Sequence, residues 1–168
     1  MRLRASHAGR LSAAALVGLI LSGAGRCGSP PRAADPDASA AARGPHVVLP
    51  NGALVSVELA VTEAEKAQGL MYRESMPRNA GMIFPFETLE VRPFWMKNCH
   101  FPLDIVHLTR DGTVVDVLKS VPPCVADPCP TYPPAVKSDT VLELNAGEAD
   151  KNGVAPGAKV QFRQIPGR

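Results

Sequence analysis

One tryptophan, four histidines and no run of lysine or arginine past residue 10: what this 168-residue chain has little of narrows its chemistry first. Three of its 18 basic residues (Arg2, Arg4, Arg10) precede Ala24 while every acidic residue follows it, so beyond that point 15 basic residues (18 less three) meet 16 acidic ones. No basic stripe is left for a phosphate backbone or an anionic membrane face, and nucleic acid is not expected as a partner. The histidines form neither a His-x-x-x-His pair nor a His-Glu-x-x-His helix, which argues against a zinc hydrolase, and no metal or other cofactor is expected. Gly147 and Gly153 lack the spacing of a phosphate loop and read as turn residues. There is no internal repeat.

The remaining features divide the chain into three parts. Residues 1–26 read as an export signal: Arg2, Arg4 and Arg10 form a charged end, Leu11 to Leu21 an apolar run, and Ser22-Gly23-Ala24 a small-residue cleavage site. The apolar run is about half the ~20 residues a spanning helix needs, so the mature form is expected to have no transmembrane segment. Lipid anchoring through Cys27 is the lesser alternative, because Ala24 stands where a lipoprotein box would place its cysteine. Residues 27–45, rich in Pro, Ala, Ser and Gly, read as a tether with too little apolar content to order itself. Residues 46–168 then form the single folded domain.

Within that domain short strands dominate. Val47-Val48-Leu49 and Leu54 to Val61 flank the turn signal Pro50-Asn51-Gly52, and Val55, Val57, Leu59 and Val61 are expected on one face. Thr62 and Glu65 make a capping box that opens a helix running to about Arg73. Further strands are expected at Met82-Ile83-Phe84, Phe101 to Thr109, Thr113 to Lys119, Thr140 to Leu144 and Lys159 to Ile165, with Glu148 to Asn152 as one helical turn. The pattern is mainly β on the border of α+β, in one domain.

The stretch Phe94-Trp95-Met96-Lys97-Asn98, then Pro102-Leu103-Asp104-Ile105, then Asp111-Gly112 holds the only Trp and sets three polar side chains among apolar ones. Asp111-Gly112 between apolar runs is a strong hairpin signal. Gly69-Leu70-Met71-Tyr72-Arg73 and Gly81-Met82-Ile83-Phe84 lie upstream, and Val141-Leu142-Glu143-Leu144 and Ala146-Gly147 downstream. Together these pieces resemble the family known as domain of unknown function 192, over roughly Val47 to Ile165. The resemblance implies a compact, barrel-like antiparallel sheet with one short helix packed on it, and no assigned activity.

Candidate chemistry concentrates beside Trp95. Arg73, Lys97, Asn98 and Asp104 either line a pocket where a polar ligand stacks on the indole, or serve the fold, with Asp104 paired to Lys97 or Arg73 and Asn98 capping the turn before Pro102. His107, between apolar strand positions, is expected as a half-buried core histidine. Cys99 and His100, adjacent in an extended stretch, point apart and make a poor nucleophile pair. Cys124 and Cys129, fenced by prolines, are expected to form a local disulfide that leaves Cys99 free; a metal knuckle with Cys99 and His100 is the alternative. The expected function is an exported, monomeric, non-catalytic binding module for a small polar ligand, a saccharide for example, or for an envelope partner. The alternatives are a hydrolase using Asp104, which lacks a matched acid in its own motif, and a purely structural envelope protein.

Overall fold

The computed structural model describes residues 43–168; the expected leader, Cys27 and the tether up to residue 42 lie outside them. In chain order the elements are β1 (His46–Val48), β2 (Leu54–Leu59), α1 (Glu63–Gln68), β3 (Ala80–Glu90), β4 (Phe94–Trp95), β5 (Leu103–Leu108), β6 (Val114–Val121), β7 (Thr131–Tyr132), β8 (Ser138–Asn145), α2 (Glu148–Lys151) and β9 (Gln161–Arg163). Seven strands form one curled sheet in the order β6-β5-β8-β3-β2-β1-β9, a half-barrel, and β4 pairs with β7 in a separate two-stranded ribbon. The curl brings the sheet's ends together: Val160 N–H donates to Gly112 C=O (2.9 Å) and Val114 N–H to Ala158 C=O (2.9 Å). Gly112 is required there, since a Cβ at its φ of +82° would lie 2.0 Å from the Val160 carbonyl oxygen.

Turn and cap chemistry set the local elements as the sequence implies. Asn51 accepts from the Ala53 N–H (3.0 Å) within the β1–β2 turn. The Thr62 hydroxyl accepts from the Glu65 N–H (3.2 Å), while the Glu65 carboxylate takes the Thr62 N–H (2.8 Å). The helix is shorter than expected: it stops at Gln68, because Gly69 turns to φ +48° and the chain leaves helical geometry. α1 links β2 to β3 as a crossover, so these two strands are parallel in a sheet that is otherwise antiparallel. β2 ends at Leu59, which leaves Ala60 buried and Val61 exposed, the reverse of a strand continued to Val61. The Pro-rich loop contributes the short strand β7, and α2 is a second helix of four residues.

The centre of the sheet, β5, β8 and the first half of β3, is buried on both faces, and this decides where polar side chains can go. One face packs Val47, Val57, Ile83, Val106, Leu142 and Leu144 inside the curl. The other packs Met82, Phe84, Leu103, Ile105 and Val141 against Leu70, Met96, Cys99 and Phe101 from the connecting segments. β5 is therefore buried at every position. Each such aliphatic side chain contributes about 1.5–3 kcal/mol by burial. A polar residue on β5 or β8 is enclosed whichever way it points.

Candidate functional site

Asp104, His107 and Glu143 lie on these enclosed strands, and their surroundings differ. Asp104 faces the inner core with Val106, 1% exposed. Its two carboxylate oxygens accept from Ser120 N–H (2.8 Å) and Ala149 N–H (2.9 Å), which joins β6 and the start of α2 to β5. The expected pairing with Lys97 or Arg73 is not made. Arg73 instead forms a two-pronged bond to Glu58 (2.5 and 2.8 Å), and Lys97 pairs with Asp127 (3.0 Å). Those carboxylates lie in other segments, and Asp104 already has its donors from the backbone.

Asn98 also serves the fold. It adopts φ +54°, donates its side-chain amide to the Tyr72 hydroxyl (2.9 Å), accepts the Tyr72 N–H at its carbonyl (2.7 Å) and donates its own N–H to the Cys124 carbonyl (2.8 Å). It sits inside the turn closed by Cys99 N–H to Met96 C=O (3.1 Å), and does not cap the approach to Pro102. His107 is fully buried, not half-buried: Nδ1 meets the Ser138 hydroxyl (3.1 Å), Phe94 packs edge-on against the ring, and Nε2 has no partner. Burial lowers its pKa to about 4, against the opposing pull of Asp116.

The third is Glu143, which lies far from Trp95 in sequence and outside the residues expected at the site. It sits in β8, opposite Met82 of β3 and Ile105 of β5, and is 5% exposed. Its Oε2 has no hydrogen-bond partner. Burial pushes the carboxyl up to about 8, with the Arg73 guanidinium pulling weakly the other way. The neighbouring Cys99 thiol, buried and facing this carboxyl, is raised to about 11, which makes it an inert thiol at neutral pH.

Glu143 lines a hollow of about 30 Å³, room for one or two waters, between the end of α1 and the Phe94–Lys97 segment. An adjoining hollow of about 320 Å³ shares Lys66, Phe84, Phe94 and Trp95 with it and opens outward past Phe86 and Arg92. The two hollows adjoin along these residues, an inner and an outer part of a cleft with aromatic walls. Lys66 and Arg92 lie over the Phe86 ring at 4.8 and 4.0 Å, and Lys97 lies 5.5 Å from the centre of the Trp95 ring, itself 45% exposed. Of the residues expected to share a site, the structure thus brings Trp95 and Lys97 together. Arg73 lines a further hollow with Glu58 and Met82, which meets the inner one only at Gln68 and Gly69, and Asp104 lies on the other face of the sheet. Among the described residues no group of three or more His, Cys, Asp or Glu is arranged to hold a metal.

The rim is held by the Pro-rich loop. Cys124 and Cys129 lie at disulfide distance (S–S 2.09 Å), and Cys99 is the free cysteine among the described residues. The loop they close supplies Asp127 to Lys97, and β7 just beyond it pairs Thr131 with Trp95 and Tyr132 with Phe94. Replacing both cysteines by serine should cost about 2 kcal/mol, at the low end for so short a loop. It should also change the emission of the single tryptophan. Urea unfolding followed by fluorescence tests both, and an unaltered spectrum would separate the disulfide from the rim.

A family model described as DUF192 (Uncharacterized ACR) matches residues 46–162. The chain is also similar to a crystal structure of a protein of unknown function from Novosphingobium aromaticivorans, at 35% identity over 70% of this chain and 82% of that one, with a TM-score of 0.62. A "putative transcription regulator" from Sinorhizobium meliloti is 32% identical over 72% of this chain and 93% of its own, with a TM-score of 0.61. No curated protein matches the chain.

Proposed function

This chain belongs to the DUF192 family, whose description assigns no activity, and we propose from its own geometry that it is a binding module for a small ligand held in the cleft between α1 and Trp95. The observation that carries this reading is a nine-tenths buried carboxyl, Glu143, with an unsatisfied oxygen beside a hollow walled by aromatic rings. A buried polar atom without a partner costs about 1–3 kcal/mol, which a ligand completing its hydrogen bond would recover. Convergent polar groups in an apolar, preformed cleft are the usual form of a small-molecule site. The alternative of a hydrolase based on Asp104 has no support in that residue's surroundings, since both its oxygens are held by backbone N–H groups away from the cleft.

The module is proposed to work outside the cytosol. A disulfide-distance cysteine pair in an exposed loop fits an oxidising compartment, as does the signal-like composition of residues 1–26. Among the described residues no helix is long and apolar enough to cross a membrane. A part in transcription regulation, which the Sinorhizobium protein's description names for that protein, finds little support here through nucleic-acid binding, since the 15 basic residues beyond Ala24 meet 16 acidic ones.

A thermal-shift screen of small polar compounds tests the proposal, because a ligand bound only by the folded state raises the melting temperature. Trp95→Ala is expected to abolish the shift from any hit at this cleft while changing stability by no more than about 1 kcal/mol, since the side chain is half exposed. Hits that shift wild type and Trp95→Ala equally would place binding elsewhere and reject the cleft.

A further inference from the structure

The charges around Glu143 select among the ligands the cleft could take. Lys66 and Lys97 line the same inner hollow as Glu143, and Arg92 stands at the outer one. The acidic partners of the two lysines, Glu63 and Asp127, are largely exposed, with side chains 92% and 69% accessible, so those pairs are weak and readily exchanged. A group entering from the outer hollow therefore passes the Lys66 ammonium, which lies over Phe86, and reaches the buried carboxyl between the side chains of Lys66 and Lys97.

Resting on the reading of this cleft as a ligand site, we propose that it binds a small organic carboxylate: the apolar or aromatic body lies along Trp95 and Phe86, and one carboxylate oxygen accepts a hydrogen bond from the Glu143 carboxyl group between Lys66 and Lys97. The inner hollow admits only a head group the size of one or two waters, which suits a carboxylate and leaves the body in the outer cleft. An ammonium ligand would have to ionise Glu143 and would lie against two like charges. A neutral amide would leave both lysines unused. A carboxyl O–H donor, with two lysines free to turn their ammonium groups onto the anion by exchanging exposed acid partners, favours the anion over both.

The donor role requires Glu143 to carry its proton, as its burial arranges at neutral pH. The groups that face it are Arg73 beyond α1, Lys66 on α1, and Lys97 and Cys99 from the segment after β4; the flanking strands present apolar Met82 and Ile105, with His107 two residues further along β5. Cys99 titrates near 11 and His107 near 4, so neither changes charge around pH 8. Affinity for a carboxylate should then fall as pH rises through 8.

The test is a titration of the full chain, followed by the fluorescence of its one tryptophan, with phenylacetate as the acid and benzylamine as the opposite charge. N-acetylphenylalanine, which presents a peptide-like C-terminal carboxylate, distinguishes a polypeptide end from a free acid by which of the two acids binds tighter. Phenylacetate is expected to bind saturably, and about tenfold more weakly at pH 9 than at pH 7, as the protonated fraction of a group titrating near 8 falls from about 10/11 to about 1/11. Glu143→Gln keeps an N–H donor, so it should bind phenylacetate within about threefold of wild type at pH 7 and lose the pH dependence. Glu143→Leu should lose at least about tenfold. Tighter binding of benzylamine at pH 7, affinity for phenylacetate rising with pH, or equal loss in the Gln and Leu variants would each overturn the acid while leaving the cleft as a site. Silence of the tryptophan towards all three probes would reject both.

Discussion

Glu143→Gln is expected to gain on the wild type in stability by on the order of 4 kcal/mol as pH is raised from 5 to 8. The carboxyl loses its proton near 4.5 when exposed in the unfolded chain but keeps it to about 8 in the fold. Between those values the native state binds the extra proton, so stability falls with rising pH and levels off above 8. Glutamine has the same shape and no proton to lose. His107 acts in the opposite sense: lowered from 6.5 to about 4, it makes stability fall as pH drops through that interval. The two slopes offset one another from about pH 4.5 to 6.5. The wild type should therefore be nearly flat there and lose about 2 kcal/mol between pH 6.5 and 8, while the variant stays level above 6.5. Urea unfolding of both proteins at pH 5, 6.5 and 8 reads this directly. Parallel profiles would mean that water or backbone motion satisfies Glu143 in solution, and the argument for a ligand would lose its basis. A group that costs the fold this much at working pH is the kind kept for a function rather than for stability.

That residue was hard to see in the sequence, for a reason that applies along this chain. Val141-Leu142-Glu143-Leu144 reads by period as a strand with one buried and one solvated face, which puts the glutamate in water. Only the pairing of β8 between β3 and β5, with segments packed over both faces, encloses it. Signals confined to a few residues were legible: the turns at Asn51-Gly52 and Asp111-Gly112, the Thr62–Glu65 capping box and the disulfide spacing; many short strand patterns carried the mainly β class, and the family resemblance the barrel-like sheet. Partners far apart in sequence were not. Arg73 meets Glu58 fifteen residues back, Lys97 meets Asp127 thirty residues on, and Asp104 meets Ala149 forty-five residues on. Hydrophobic period reports which face a side chain takes but not what waits on that face. Of the residues grouped beside Trp95, only Lys97 and Trp95 itself reach the cleft.

Asp104→Ala should lower stability by about 3 kcal/mol, because it strands two buried donors at once. The register of β5 on β6 slips between Leu103 and Ile105, where Val121 and Leu118 stand opposite, so the β6 residues between them lack regular ladder partners. Ser120, within this irregularity, has φ +49°, and its N–H is taken by Asp104 Oδ1. Oδ2 takes the Ala149 N–H at the start of α2, whose N-cap Gly147 has no side chain to do so. Asp104→Asn keeps one acceptor but turns its amide towards the other N–H, and about 2 kcal/mol should be lost. The cations once expected beside this carboxylate make a sharper test. Lys97 and Arg73 hold other acids, so double-mutant cycles of Asp104→Ala with Lys97→Met and with Arg73→Met should give coupling below about 0.5 kcal/mol. Urea unfolding at pH 7 supplies all the values. A coupling above about 1 kcal/mol to either cation, or a loss under about 1 kcal/mol in Asp104→Ala, would show that these two backbone bonds do not anchor β6 and α2 to the sheet.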